Sequence, residues 1–151
     1  MTTNALPTFD LESFLPYRFT VLAAKLSAEL ANRYRAEFGI SIPEWRVLVN
    51  VGYAKDLSVR DIEKRVSLEK SKVSRAAAKL ENKGLILKRV DPSDRRLLKM
   101  HLTEEGAVLL QKLIPIAQAF QTELDAALGG QGRDLKSALD SLQDGMSDRI
   151  A

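Results

Sequence analysis

Apolar residues recur every three to four positions through the first forty residues, a spacing that predicts a long amphipathic helix. We expect this helix within residues Phe9 to Phe38, with Pro16 near its first turn and Gly39 as its C-cap. Its predicted apolar stripe consists of Leu15, Phe19, Leu22, Leu26, Leu30, Tyr34 and Phe38.

The same spacing returns in the last third of the chain and predicts two further helices. The first should begin at Thr103 and bend at Pro115, and the glycine-rich residues 129–132 should separate it from the second. Their stripes are Leu109, Leu113, Ile116, Phe120, Leu124 and Leu128, and then Leu135, Leu139, Leu142 and Met146. The end helices carry more apolar surface than one small domain can cover. We therefore expect a two-fold homodimer, with an intramolecular bundle of the long helices as the alternative.

Two serines that precede acidic residues by three positions predict the starts of two shorter helices. Ser41 and Glu44 have the spacing of a capping box and should begin a helix that ends near Tyr53. Ser58 and Asp61 repeat the pattern and should begin a third helix, whose buried face includes Ile62 and Val66.

A fourth helix follows after a tight turn. Ser67 is its predicted N-cap, Glu69 should lie in its first turn, and Gly84 should end it. At 100° per residue, one face is apolar and the opposite face is polar. The apolar face consists of Val73, Ala76, Ala77 and Leu80, and the polar face of Ser71, Lys72, Arg75, Ala78, Lys79 and Asn82.

Two short apolar runs, residues 85–90 and 97–102, flank the polar loop Asp91-Pro-Ser-Asp-Arg-Arg96 and predict a β-hairpin. The fold class is therefore mainly α with a small β-hairpin wing: a winged helix-turn-helix flanked by long dimerisation helices. The expected domains are 1–40 and 104–151 for dimerisation and 41–103 for DNA binding. In a winged helix-turn-helix, the basic fourth helix fits the DNA major groove, while an arginine-tipped loop enters the minor groove beside it.

Charge is distributed unevenly along the chain. The net charge is +3, but residues 55–100 contain 14 lysines and arginines against 7 acidic residues, a local charge of +7. The remainder, with 9 basic and 13 acidic residues, carries −4. Because the positive charge coincides with the predicted helix-turn-helix, a polyanion is the expected partner.

Several function classes are disfavoured by what the sequence contains. The 151 residues include no cysteine, and His101 is the only histidine, so no metal-ligand cluster or cofactor is expected. Glu104 and Glu105 suit a helix start better than catalysis, and no glycine-rich phosphate loop is present. We predict that the chain is not an enzyme. Without a long apolar run or a signal-like start, we expect a cytoplasmic protein with no membrane partner.

With this order of elements, the chain resembles the MarR family of winged-helix transcriptional regulators over residues 10–148. Asp94-Arg-Arg96, followed after five residues by Leu102-Thr103, matches the wing signature of that family. The resemblance implies a homodimer joined through its terminal helices, repression, a pseudo-palindromic operator, and release of DNA by a small aromatic acid. The other matching patterns are Pro43-Glu-Trp-Arg-Val-Leu48, Ser71-Lys-Val-Ser-Arg75 and Leu80-Glu-Asn-Lys-Gly-Leu-Ile86.

The resemblance also assigns expected roles in DNA binding. Arg96 should enter the minor groove, Arg95 should contact phosphate or the groove wall, and Asp94 should hold the loop by pairing with Arg96 or Arg75. Arg75 is expected either to bind a guanine or to be used in such an ion pair. Residues in the first half of the fourth helix should contact base edges, namely Ser71, Lys72, Ser74 and Arg75. Expected phosphate contacts are Arg60, Lys70 and Lys79, with Lys88 and Lys99 on the wing strands.

The resemblance implies an effector pocket between the dimerisation helices and the winged unit. Arg18, Phe19 and Leu22 on the first helix and Trp45 on the second are its candidate lining, with Arg18 pairing with a carboxylate. The alternative is that the three apolar side chains are core and that Arg18 extends to water. The remaining alternative to a DNA-binding regulator is a helical protein-interaction module. That function does not explain the local charge of +7 in residues 55–100.

Overall fold

Six α-helices and one β-hairpin form the chain in the computed structural model, which describes residues 5–54, 57–66 and 68–150. Short 3₁₀ turns at Leu11–Ser13 and Gly129–Gln131 precede the first and last helices. The predicted fold class, mainly α with a hairpin wing, is confirmed. The elements are α1 (Leu15–Phe38), α2 (Ile42–Tyr53), α3 (Val59–Arg65), α4 (Lys70–Asn82), β1 (Ile86–Val90), β2 (Leu98–Leu102), α5 (Glu104–Leu128) and α6 (Gly132–Ile150).

The chain divides by packing into two units, Met1–Gln111 and Lys112–Ala151. The first contains the helix-turn-helix, the hairpin and the start of α5. The second contains the rest of α5, which continues through Pro115, and α6. The functional division at residues 40 and 103 stays a prediction, as does a bend at Pro115.

The predicted helix caps of α1, α2 and α3 are confirmed. Gly39 ends α1 in the left-handed conformation with φ of 63°, and Ser41 Oγ accepts the Glu44 N–H at 3.3 Å. Around α3 the capping box is complete: Ser58 Oγ accepts the Asp61 N–H at 3.1 Å, and Asp61 Oδ2 accepts the Ser58 N–H at 3.0 Å. These hydrogen bonds satisfy N–H groups that have no partner within the helix.

The start of α4 differs from the sequence prediction. The helix begins at Lys70, so Glu69 is the N-cap residue and not part of the first turn. Its carbonyl oxygen accepts the Val73 N–H at 3.2 Å, but its side chain makes no capping hydrogen bond. Shorter side chains are preferred at this position because they reach back to the helix N–H groups directly. The predicted N-cap Ser67 lies outside the described residues.

The C-terminal end of α4 is closed by a Schellman motif. Gly84 has φ of 72°, the Leu85 N–H donates to the Leu80 carbonyl at 3.0 Å, and the Gly84 N–H donates to the Glu81 carbonyl at 2.9 Å. Gly84 tolerates this conformation because it has no Cβ. The chain therefore turns sharply from α4 into β1.

The core of the first unit forms where the apolar face of α4 meets α2 and β1. The side chains of Val73, Ala77 and Leu80 are completely buried, and Ala76 is almost so. They pack with residues that neighbouring elements contribute, namely Val47 and Leu48 of α2, Ile62 of α3 and Ile86 of β1. Because the apolar face of α4 points inward, its polar face must point to solvent.

The hairpin is antiparallel, with Ile86 opposite Leu102 and Val90 opposite Leu98. Ser58 adds an isolated bridge to Lys99, which links the start of α3 to the outer side of β2. At the base of the hairpin, Thr103 Oγ1 donates to the Gly84 carbonyl at 2.6 Å and accepts the Gly106 N–H at 3.0 Å. One threonine therefore joins the end of α4 to the start of α5.

Large apolar side chains are exposed on the terminal elements of the single chain. On α6, the whole predicted stripe is 37% to 48% exposed. The N-terminal segment adds a comparable set: Leu6, Phe9, Leu11, Phe14, Leu15, Tyr17, Phe19 and Leu22. No helix in the described ranges combines the length and the hydropathy that a membrane span requires.

We predict that Gly106→Ala destabilises the first unit. A Cβ at this position would collide with the backbone carbonyl oxygen of Leu85 and lie 2.8 Å from a methyl of Leu102. Overpacking of this kind costs about 1–3 kcal/mol, more than the gain of about 1 kcal/mol expected from replacing a helical glycine. Urea denaturation should show a lower free energy of unfolding.

Gly145→Ala is the matched control, because it makes the same substitution within α6 where a Cβ meets no atom within 4 Å. This variant should be as stable as the wild type or more stable. Equal stabilisation by both substitutions would contradict the close approach of Gly106 to Leu85.

Candidate nucleic-acid interface

The polar residues of the amphipathic helix α4 lie on its exposed side. Lys72, Arg75 and Lys79 all point to solvent, and Ser71 and Ser74 lie beside them. We call these five residues the cationic face. None of its three cations takes part in an ion pair within the described part of the chain. Arg75 is therefore not used in an ion pair with Asp94.

A shallow groove of about 210 Å³ runs between the cationic face and the start of α2. Its lining includes Lys72, Arg75 and Lys79 on one side and Ser41 and Pro43 on the other. The N-terminal end of α2 adds the partial positive charge of a helix dipole to the charges of the three cations. The groove therefore favours an anion.

A second groove, of about 180 Å³, brings together three elements that are distant in sequence. Arg60 of α3, Lys70 at the start of α4 and Arg96 of the wing loop all line it, together with Glu63. Three predicted DNA-binding residues thus share one surface concavity. Tertiary structure, and not sequence proximity, places the wing arginine beside the helix-turn-helix.

The tip of the wing loop (residues 91–97) is organised by one carboxylate. Asp94 Oδ1 accepts Arg96 Nε at 3.1 Å and Asp94 Oδ2 accepts Arg96 Nη2 at 3.3 Å, so the pair is bidentate. Asp94 Oδ1 also accepts the Arg96 backbone N–H at 3.1 Å. These hydrogen bonds from Arg96 lower the pKa of Asp94. The Arg96 side chain is nevertheless 89% exposed, and Arg95 is exposed beside it.

The base of the wing loop is held by Asp91, a residue that the sequence analysis did not single out. It is buried, and its Oδ1 accepts the Ser93 hydroxyl at 2.7 Å and the Ser93 N–H at 2.9 Å. These two hydrogen bonds from Ser93 lower its pKa. The Asp-Pro-Ser order is typical of an Asx turn, a sequence signal that predicts this arrangement.

Two lysines of the wing strands make ion pairs within the fold. Lys99 Nζ lies 3.4 Å from Asp91 Oδ2, and Lys88 Nζ lies 4.0 Å from Glu81 Oε1. Both side chains are only 25% exposed. They are less accessible to phosphate than the cations of α4.

An ion pair between a buried carboxylate of α2 and the C-cap lysine of α4 also escaped the sequence analysis. Glu44 Oε2 accepts Lys83 Nζ at 2.8 Å, and Glu44 Oε1 accepts Ser41 Oγ at 2.9 Å. Burial of Glu44 acts to raise its pKa, but the hydrogen bonds from Lys83 and Ser41 outweigh burial and lower the pKa overall. Lys83 also lies at the C-terminal end of α4, where a cation is favoured by the helix dipole.

The candidate effector residues occupy two environments. On α1, Arg18, Phe19 and Leu22 are all exposed in the single chain. Trp45 is half-buried and stacks on the buried Tyr34, with 5.5 Å between the ring centroids. Trp45 is therefore part of the packing between α1 and α2.

Comparison with known proteins points to one family. Residues 38–97, which contain the helix-turn-helix, the first strand of the hairpin and the wing loop, match the family model described as MarR family. A MarR family transcriptional regulator from Silicibacter pomeroyi is 25% identical with a TM-score of 0.81, over 96% of this chain and 99% of that one. The winged unit of this chain is therefore similar to that of the MarR family.

Other relatives agree with this assignment. The HTH-type transcriptional regulator YdgJ of Bacillus subtilis is 27% identical over 103 residues, which are 68% of this chain and 63% of YdgJ. The structure of BpsR from Bordetella bronchiseptica, whose DNA binding is regulated by 6-hydroxynicotinic acid, has a TM-score of 0.73. At 19% identity, over 94% of this chain and 99% of that one, it shows the shared fold alone. Because YdgJ and the protein from Silicibacter pomeroyi are both transcriptional regulators, the prediction that the chain is not an enzyme is confirmed.

We predict that Glu44 stabilises this protein in a pH-dependent way. A carboxyl whose pKa is lowered by folding contributes stability above its ordinary pKa of 4.5, and this contribution is lost as the pH falls through the folded value. Glu44→Gln should lower the free energy of unfolding by about 1–3 kcal/mol at pH 7. The difference from the wild type should shrink below about pH 4.5.

Urea denaturation at a series of pH values measures this effect. Glu12→Gln removes an exposed carboxylate and serves as control, with an expected change within about 0.5 kcal/mol. A difference between Glu44→Gln and the wild type that stays constant from neutral to acid pH would contradict the ion pair.

Proposed function

We propose that this protein is a sequence-specific DNA-binding transcriptional regulator that acts as a homodimeric repressor on a pseudo-palindromic operator. The observation that carries the proposal is the cationic face. It presents three cations without acidic partners among the described residues, beside a wing loop tipped by arginines. Such a face suits the negative potential of a DNA groove.

In this proposal α4 lies in the major groove. Ser71, Lys72, Ser74 and Arg75 occupy its first half, the part of a recognition helix that usually contacts base edges. A guanidinium without an acidic partner can donate two hydrogen bonds to guanine, which is the role proposed for Arg75. Lys79 lies one turn further along the helix and suits a phosphate.

Lys70, Arg60 and Arg96 line one groove, and we assign the first two to phosphate contacts. Arg96 is proposed to enter the minor groove. Its ion pair with Asp94 lies at the surface, where such pairs contribute only about 0–1 kcal/mol. The guanidinium can therefore exchange Asp94 for DNA at little cost. Before that exchange, Asp94 keeps the loop in a conformation that presents Arg95 and Arg96 together.

Dimerisation is supported by the exposed apolar stripes. Leu135, Leu139, Leu142 and Met146 are partly exposed on one side of α6, and the N-terminal segment exposes Phe9 and Phe14, whose rings pack edge to face. A second copy would cover such surfaces. A two-fold dimer would present its recognition helices about 34 Å apart, one turn of DNA. A strictly monomeric chain at micromolar concentration would contradict this part of the proposal.

The proposal also includes a binding site for a small-molecule effector on α1. Arg18 and Leu22 are four residues apart on α1 and therefore share one side of the helix, with Phe19 beside them. A cation next to apolar side chains suits an aromatic carboxylate. The regulation of BpsR by 6-hydroxynicotinic acid provides a precedent for such a ligand in a protein of the same fold.

We predict different effects for two substitutions on the cationic face, measured on operators selected from random duplexes. Arg75→Ala should reduce discrimination at one base pair of each half-site by about 1–3 kcal/mol. Lys79→Ala should weaken binding to all sequences alike and lower the slope of log affinity against log salt by about 1.

Lys112→Ala removes the same charge from α5, outside the winged unit, and should leave discrimination and slope unchanged. Affinity measured by fluorescence anisotropy should fall steeply between about 50 and 200 mM salt. An affinity that hardly responds to salt would show that phosphate contacts do not dominate, and the proposed DNA interface would be wrong.

We predict that an aromatic acid, tested as 6-hydroxynicotinic acid, stabilises the protein and releases operator DNA. A ligand at about a hundred times its Kd contributes about 2.7 kcal/mol, which should raise the Tm by about 5–10 °C. The uncharged 6-hydroxynicotinamide is the matched ligand and should do neither. Arg18→Gln should retain operator binding but lose the response to the acid. Equal responses to the acid and the amide would exclude pairing between Arg18 and a carboxylate.

A further inference from the structure

One side chain of α2 connects three helices. Arg46 Nη2 donates to Ser27 Oγ of α1 at 3.1 Å, and Arg46 Nη1 donates to the carbonyl oxygen of Val66 at 3.3 Å. Val66 is the C-cap residue of α3, four positions before α4 begins. A single guanidinium therefore bridges the middle of α1 and the turn that leads into the recognition helix.

Asn50, one helical turn after Arg46, strengthens the link between α2 and α3. Its side-chain amide donates to the Arg46 carbonyl at 2.8 Å, and its Oδ1 accepts Arg65 Nε at 3.1 Å. Arg46 and Asn50 thus hold two consecutive residues at the C-terminal end of α3. That end is fixed to α2 by hydrogen bonds as well as by packing.

Within the first unit, α1 contacts the helix-turn-helix mainly through α2. Ala31 and Tyr34 follow Ser27 at intervals of four and three residues, lie on the same side of α1 and are buried. The Tyr34 ring stacks on Trp45, the residue before Arg46. Any displacement of α1 relative to the winged unit must therefore act on the segment of α2 that carries Arg46.

We infer that Arg46 is a positioning residue that transmits the position of α1 to the turn between α3 and α4 and so sets the orientation of the recognition helix in the dimer. The inference rests on the proposed function, because it concerns how two cationic faces are held in register on DNA. Arg46 itself lies on α2, away from the exposed side of α4.

The chemistry of the bridge requires an arginine. The carbonyls in the last turn of a helix lack partners within the helix, and a cation there is favoured by the helix dipole. A guanidinium presents several N–H groups in a fixed plane, so it can donate to a carbonyl and a hydroxyl at the same time with a defined geometry. A lysine retains the charge but presents one flexible ammonium group.

Half-site spacing provides a readout that a loss of general stability would not change. The test compares the affinity of the protein for three duplexes. The first is the duplex that the wild type selects from random sequences, the second is the same duplex lengthened by one base pair between the half-sites, and the third contains one half-site. A rigid dimer should discriminate strongly between the first two duplexes. If Arg46 holds the recognition helices in register, Ser27→Ala should reduce this discrimination at least about fivefold, at the lower end of typical couplings between sites.

Ser27→Ala removes only the contact of Arg46 to α1 and leaves the contact to Val66, so binding to the single half-site should stay within about twofold of the wild type. Ser27→Thr retains the hydroxyl and should restore the discrimination. Arg46→Lys should behave like Ser27→Ala, and a thermal melt of each variant reports whether it is folded.

Unchanged spacing discrimination in a folded Ser27→Ala variant would overturn the inference while leaving the proposed DNA binding intact. Failure of Ser27→Thr to restore discrimination would also overturn it, because the hydroxyl would then not be the relevant group. Absence of wild-type binding to every duplex would instead refute the proposed function, so the two failures are distinguishable.

Discussion

The packing of α4 against α2 is the constraint on which the rest of the winged unit depends. Val73, Ala77 and Leu80 are completely buried, and the two small alanines of this face, Ala76 and Ala77, allow the helices to approach closely. Burial of one face leaves α4 a single orientation about its own axis. The polar residues between the buried positions then project outward together, which creates the cationic face.

The charged residues of this unit fall into two groups. Some form ion pairs that stabilise the fold, and others are cations that have no acidic partner among the described residues. Glu44 pairs with Lys83, Asp91 with Lys99 and Glu81 with Lys88, and each pair joins two elements or closes a turn. These three acidic residues therefore stabilise the helix-turn-helix and the wing. The cations of the cationic face have no such partners in the described part of the chain, so the positive potential is concentrated on one surface.

The connections at the two ends of α4 explain how this surface relates to the rest of the chain. At its C-terminal end, the Schellman motif and the hydrogen bonds of Thr103 join α4 to the hairpin and to α5. Before its N-terminal end, Arg46 ties the end of α3 to α1. The recognition helix is thus attached at one end to α5 and at the other to α1, the two helices predicted to meet the second copy. In the proposed dimer, a change at the interface would therefore have a short path to the proposed DNA-binding surface.

Local sequence patterns were enough to predict the order and type of the elements, most of their caps, the inward and outward faces of α4, and the wing. These features depend on residues within about four positions of one another, through helical periodicity, capping serines and turn-forming glycines. The same local rules erred at Glu69, which is the N-cap residue of α4 and not part of its first turn.

Helix packing brings Glu44 to Lys83, 39 residues away, and lets Arg46 donate to both Ser27 and Val66, and no local pattern predicted these contacts. Tertiary structure also brings Arg60, Lys70 and Arg96 to one groove. Such contacts depend on how helices pack, and a long polar side chain has many conformations with no local preference among partners. Their geometry is fixed only after burial of the apolar faces has brought the helices together.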